Sequence, residues 1–261
     1  MTTTIRALPT AVLPLPIPFR RLLRAEWQKT ISTHAIRWLL AATAIITFGG
    51  LTVPLLFPHD ITQSRASYLT WAALGLSRLL PVVLMLTMTA EWSQRTAMTT
   101  FTQEPRRGRI LAAKILTGQA VSLAGAGFAF LAAQAAVLAA NATGRGITTG
   151  RGITTGRDWP ELAGFIAFIL LTGTIGIAFG ALLHNTAVAI VSYFALGGVF
   201  NLLMIPALQA AGRWVNTGQT YGWVLNGQWA GHGAQTAVSS LLWIALPLAL
   251  GLIRTMRRDV R

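Results

Sequence analysis

The sequence predicts an all-α, polytopic integral membrane protein with six transmembrane helices and an amphipathic helix ahead of them. Three observations predict it. Hydrophobic residues make up 53% of the 261 and charged residues 11%, less than half the roughly 25% charged residues of a soluble domain. Such a chain cannot cover itself with water-facing groups. Six apolar runs of 17 to 26 residues approach or exceed the roughly 20 residues that cross a bilayer as helix. The positive charge is also uneven: with six crossings, fifteen Lys and Arg fall on the side of the termini and five on the other.

Residues 1–18 are a Pro-rich tail. Pro9, Pro14, Pro16 and Pro18 interrupt its apolar stretch and favour an extended, flexible conformation. Arg20, Arg21 and Arg24 follow that stretch rather than precede it, which argues against a cleaved signal peptide. In 19–36, Phe19, Leu22, Leu23 and Trp27 recur at helical spacing with Arg20, Arg21, Arg24 and Lys29 mostly around the other face. This predicts a basic amphipathic helix lying in the headgroup region, with Trp27 at interfacial depth. The other reading is a solvated extension of the first span.

Spans follow at 38–57, 69–90, 115–140, 162–183, 186–205 and 237–253. The second contains Pro81 and Arg78. The loop between the third and fourth repeats RGITTG at 145–150 and 151–156, a flexible tandem duplication. His184 and Asn185 form a minimal turn. Trp214, Tyr221, Trp223 and Trp229, between the fifth and sixth spans, read as an outer aromatic belt. Thr172, Gly176 and Gly180 form a small-residue stripe of the kind that lets helices approach closely within one subunit. Residues 254–261 are a basic tail. The charge bias places both termini and the segment 91–114 in the cytoplasm of a cell-membrane protein, and it accounts for the net charge of +14 without nucleic acid.

Several chemistries lack their residues. Gly108 to Lys114 has neither the second glycine nor the following hydroxyl of a phosphate-binding loop. The four histidines are scattered, so no metal site is expected, and there is no Gly-x-Ser-x-Gly motif for a serine hydrolase. No carboxylate lies in mid-span, which disfavours a proton-coupled transporter. With no cysteine there is neither disulfide nor thiolate site. A membrane-embedded enzyme would need a polar constellation within the spans, where Arg78 stands with isolated Asn, Gln, Ser and Thr. No catalytic residue is expected.

The stretch Glu91 to Lys114 (EWSQRTAMTTFTQEPRRGRILAAK) is the longest polar segment between two apolar runs. Residues 74–114 carry a mid-span proline (Pro81), the pair Glu91-Trp92, a Thr-rich piece, Pro105-Arg106-Arg107 and an aliphatic-Ala-Lys entry into the next span. Glu26-Trp27 precedes a first span opening at Arg37-Trp38. These features resemble the permeases of the ABC type-2 exporter family, actinobacterial members in particular. The detailed likeness covers about 60 residues and the six-span layout the whole chain. Thr96-Ala97 departs from the pattern, since members often have glycine there. The resemblance implies a transport subunit that works as a dimer with a second copy or paralogue. A separate ATP-binding subunit would hold ATP and magnesium, leaving no cofactor in this chain. It also implies re-entrant pieces between the fifth and sixth spans, and a coupling helix in the loop after the second.

On that reading Glu91 faces the cytoplasmic interface and Arg95 to Phe101 docks on the ATPase, Met98 and Phe101 supplying apolar knobs one turn apart. Arg106, Arg107 and Arg109 then meet membrane headgroups. The other reading of these residues is an ordinary positive-inside loop. Arg78 has three readings: contact with an anionic substrate group, snorkelling to the outer interface, or bonding to carbonyls freed by Pro81. An ATPase-independent facilitator or immunity protein is the alternative for the whole chain.

Overall fold

The computed structural model describes residues 17–94, 96, 106–143, 159–202, 209–228 and 231–257. Among them the chain is helical with no strand. The helices are α1 (Phe19–Ser32), α2 (His34–Leu56), α3 (Arg65–Ser93), α4 (Arg107–Ala142), α5 (Trp159–Leu183), α6 (Thr186–Leu202), α7 (Gln209–Val215) and α8 (Thr217–Leu225). The last, α9 (Gly233–Arg257), contains a π-helical turn at Leu241–Ala245, and Pro247, two residues beyond it, lacks a backbone donor.

Five of these, α2, α3, α4, α5 and α9, are long and apolar enough to cross a membrane. Their apolar side chains are not all covered: Trp38, Ile45, Leu131 and Leu241 are all more than 60% exposed, which a bilayer accommodates and water does not. The expected fifth span is shorter. α6 has 17 residues, about 26 Å of helix, against a hydrocarbon core of about 30 Å, and residues 203–208 lie outside those described.

The helices outrun the apolar windows that predict them. α3 continues to Ser93 and α4 begins at Arg107, so the expected loop 91–114 is helical at both its ends, and residues 95 and 97–105 lie outside those described. Hydropathy marks where a segment turns apolar, whereas the helix continues for as long as its polar side chains find partners. Between α1 and α2 the opposite holds: the expected helix 19–36 stops at Ser32 because Thr33 is extended (φ −73°, ψ 119°). The hydroxyls of Ser32 and Thr33 donate to the Lys29 carbonyl at 3.3 and 2.7 Å, local bonds that compete with helix continuation. α1 is thus a separate element and not a simple extension of the first span.

α3 and α5 run side by side at the centre, with α2 and α4 against α3 and with α9 and α8 against α5. The core is largely aliphatic and alanine-rich, from Leu69, Leu76, Leu80 and Leu84 on α3 to Ala129, Ala133 and Ala136 on α4. Close approach depends on the Thr172, Gly176, Gly180 stripe, which lies against α3. A side chain on Gly176 would run into the backbone of Pro81, and one on Gly180 would meet the Met88 Cβ at 2.7 Å. The stripe is therefore used within the subunit. Tyr221 differs from the expected belt: it is 1% exposed and belongs to a second core cluster with Phe179 and Trp243, because α8 folds back onto α5, α7 and α9.

Gly176→Leu is expected to destabilise the protein by at least the roughly 1–3 kcal/mol of overpacking. Gly127→Ala, whose added methyl meets nothing within 4 Å, is expected to be neutral or stabilising by up to about 1 kcal/mol. Thermal unfolding of the two variants in detergent checks this; equal midpoints would contradict the packing described.

Candidate functional site

The charged residues that matter most come together where α1, the end of α3 and the start of α4 meet. Leu22, Glu26 and Thr30 repeat every four residues and form the buried face of α1. Leu22 packs on Ile110 and Ala113 of α4. That register carries Glu26 inward, where it is 4% exposed. Its carboxylate accepts from Lys114 Nζ at 3.0 Å and from Lys29 Nζ at 2.7 Å. Glu91, on the last turn of α3 and 5% exposed, accepts from Lys29 at 3.1 Å and lies 3.5 Å from Lys114. Lys114 donates a further bond to the Thr87 carbonyl at 3.2 Å.

The four formal charges cancel, and three of the groups are removed from water. Burial alone would push the Glu26 carboxyl up. Lys114 and then Lys29 outweigh it and hold the group below its ordinary value of 4.5. Burial alone would likewise lower Lys29, and Glu26 and Glu91 more than reverse this, raising it above 10.5. A cleft of about 350 Å3 opens beside the cluster, lined by Thr30, Thr33, Gln94 and Thr96 as well as the charges.

The segment 94–106 is therefore anchored at both ends. Glu91 fixes the α3 side. On the α4 side, Arg107 donates to the Thr255 carbonyl of α9 at 2.9 Å, and Arg109 to the Ile17 carbonyl at 2.6 Å. Nearby, His184 in the α5–α6 turn bonds Thr255 Oγ1 through Nε2 at 2.9 Å, and Trp92 meets its ring edge-on at 4.5 Å. Arg254 donates to the Leu182 carbonyl at 2.9 Å. One end of the bundle thus gathers α1, the end of α3, the start of α4, the α5–α6 turn and the end of α9.

Against this geometry the expected site residues divide. Glu91 does not face an interface; it is buried and ion-paired, because Lys114 draws it inward. Arg95, Met98 and Phe101 lie outside the described residues. Arg20, Arg21, Arg24 and Trp27 are exposed on the outer side of α1, and Arg106 is exposed. Arg107 and Arg109 are half-buried and bonded to backbone carbonyls, not simply directed at headgroups. The partners Glu26, Lys29 and Lys114 carried no predicted role. The available signal was Glu26 falling four residues after Leu22, on the apolar side of α1, together with a lone lysine in the Ala-rich start of α4.

Arg78 lies elsewhere, midway along α3. It is exposed and lines a cavity of about 320 Å3 with Tyr193, Phe194, Phe200, Asn216 and Trp243. It does not bond the carbonyl that Pro81 frees. That carbonyl, on Ser77, is approached by the Tyr193 hydroxyl at 3.5 Å.

No protein-family model matches the chain, and no curated protein matches it. The fold and site define a class: a protein whose described residues are helical, with five membrane-length apolar helices among them and a charge cluster binding three helices at one end.

Two outcomes follow. Lys114→Met leaves two buried carboxylates sharing only the half-exposed Lys29 and is expected to cost about 3–5 kcal/mol, read as a lowered unfolding midpoint in detergent. For pH, the Glu26 contribution is present above the ordinary carboxylate value and lost as pH falls through the lower folded value. The Lys29 contribution is present below 10.5 and lost as pH rises through the higher folded value. A nitroxide at Ala25→Cys on α1 should therefore keep one line shape from about pH 5 to 10 and loosen in acid; loosening at pH 6–7 would contradict the cluster.

Proposed function

We propose that this chain is the membrane subunit of an ATP-driven exporter of the ABC type-2 permease class, energised by a separate ATP-binding subunit. In this reading α6 is the sixth crossing, and both termini face the cytoplasm of a cell-membrane protein. The chain works as a dimer with a second copy or paralogue, and its partner binds ATP and magnesium. The observation that carries the proposal is the anchoring of 94–106. A short polar segment is held at one end by the Glu26–Lys29–Glu91–Lys114 cluster and at the other by Arg107 on α9, so a push on it reaches α1, α3, α4 and α9 together. A merely solvated loop needs no such attachment.

Docking itself falls to Arg95 through Phe101, with Met98 and Phe101 as the apolar contacts. In this reading Arg20, Arg21 and Arg24, exposed with Trp27 on α1, meet anionic headgroups of the inner leaflet. Glu91 acts from behind, by fixing the segment's start.

Affinity purification from native membranes should recover an ATP-binding subunit with the wild-type chain. Met98→Glu with Phe101→Glu should reduce its recovery at least tenfold while leaving the chain's own membrane level unchanged. Recovery of no ATP-binding subunit from the wild type, or full recovery with the double variant, contradicts the proposal.

A further inference from the structure

The Arg78 cavity carries a ligand assignment that the exporter reading does not supply. Arg78 sits 13 residues into α3 and 15 from its end, about 20 Å from either terminus, the depth at which a cation is most costly in a bilayer. Among the described residues it makes no hydrogen bond and no ion pair, and no carboxylate lines its cavity. An arginine cannot lose its charge to relieve that cost, so it requires either water or an anion.

The rest of the lining indicates which anion. Tyr193, Phe194, Phe200 and Trp243 make an aromatic wall. Phe200 meets Trp243 edge-on at 5.1 Å, and Tyr193 meets Phe194 at 5.0 Å. The polar margin is Asn216 and Thr217. Asn216 is already engaged, its Nδ2 donating to the Phe200 carbonyl at 3.3 Å and its Oδ1 accepting from Gln219 N–H at 3.1 Å. Trp243 Nε1 donates to the Val215 carbonyl at 2.8 Å. Trp243 and Asn216 are therefore held by hydrogen bonds of their own, and among the described residues Arg78 is the charged group of the lining left to meet a ligand. A volume of about 320 Å3 is at the lower end of the roughly 300–1,000 Å3 of ligand pockets.

We propose that this cavity binds a monoanionic amphiphile, with its carboxylate, sulfonate or phosphate group on Arg78 and its apolar or aromatic body against Tyr193, Phe194, Phe200 and Trp243. The proposal rests on the membrane-embedded part of the exporter reading and not on the ATPase. The anion can come from a small cargo molecule or from an anionic lipid, which share this chemistry.

The test uses the full chain alone in phosphatidylcholine nanodiscs, with 1-naphthalenesulfonate titrated calorimetrically and 1-naphthylmethylammonium as the cationic match. The sulfonate should bind saturably and the ammonium should not. Arg78→Gln should weaken the sulfonate at least tenfold, while Arg78→Lys retains part of the affinity. Gly197→Leu leaves the arginine in place and should also abolish binding by filling the cavity: Gly197 lines it, and an added Cβ there meets nothing within 4 Å. Adding phosphatidylglycerol to the nanodiscs separates the sources: competition with the sulfonate assigns the site to lipid, and unchanged binding assigns it to a soluble anion. Either supports the proposal. No saturable sulfonate binding by a monodisperse wild type, equal binding by Arg78→Gln, or equal binding of the ammonium overturns it. Because no ATPase is present, such a failure leaves the exporter reading standing, and loss of the exporter reading leaves this site standing.

Discussion

Two carboxylates and the Lys114 ammonium, taken out of water and completed by the half-exposed Lys29, are the constraint on which the rest of the structure depends. An ion moved from water into a protein interior loses several kcal/mol of solvation, recovered only when its partners are in place with good geometry. Glu26 and Lys29 come from α1, Glu91 from α3 and Lys114 from α4. None of these helices can shift by a turn without leaving a charge unpaired. The cluster thus fixes the register of three helices, and through Arg107 and Thr255 the same end reaches α9. The apolar contacts elsewhere in the bundle are less demanding, because alanine and leucine surfaces slide past one another at lower cost than buried charges separate.

α3 links this end to the other candidate site. Glu91 and Arg78 are 13 residues apart on it, about 20 Å, and between them α3 is pressed onto α5 at Pro81–Gly176 and Met88–Gly180. A displacement of the last turn of α3 is therefore transmitted along a packed helix, and Pro81, lacking its backbone donor, is where that helix bends most easily. On the proposed function, a partner acting on 94–106 pushes on the helix that carries the anion-binding cation.

The architecture was legible in the sequence because it follows from composition and run length. Apolar windows locate the long helices, but the buried face of α1 was read only in part: Leu22 lies on it, whereas Trp27, expected there, is exposed and Glu26 and Thr30 complete the face. The ends were less legible. Hydropathy places the start of the third span at 115, whereas α4 begins at Arg107, since Lys114 is neutralised by residues 23 and 88 positions away in the chain. The same long-range pairing explains why Glu91 read as surface: a carboxylate beside a tryptophan at the end of an apolar run is exposed unless a lysine elsewhere claims it. Arg78 was recognised as exceptional from its depth, but its cavity depends on α6, α8 and α9 converging on α3, which no local pattern records.

The account stands most directly on sidedness, since the charge cluster and the 94–106 segment can serve a cytoplasmic partner only if that end of the bundle faces the cytoplasm. The natural absence of cysteine makes single-cysteine mapping with a membrane-impermeant maleimide straightforward in intact and permeabilised cells. Cysteines at Gln28 and Asn185 should react only after permeabilisation, and those at Asp60 and Gln209 in intact cells. Labelling of Gln28→Cys or Asn185→Cys in intact cells, or protection of both Asp60→Cys and Gln209→Cys, would contradict it.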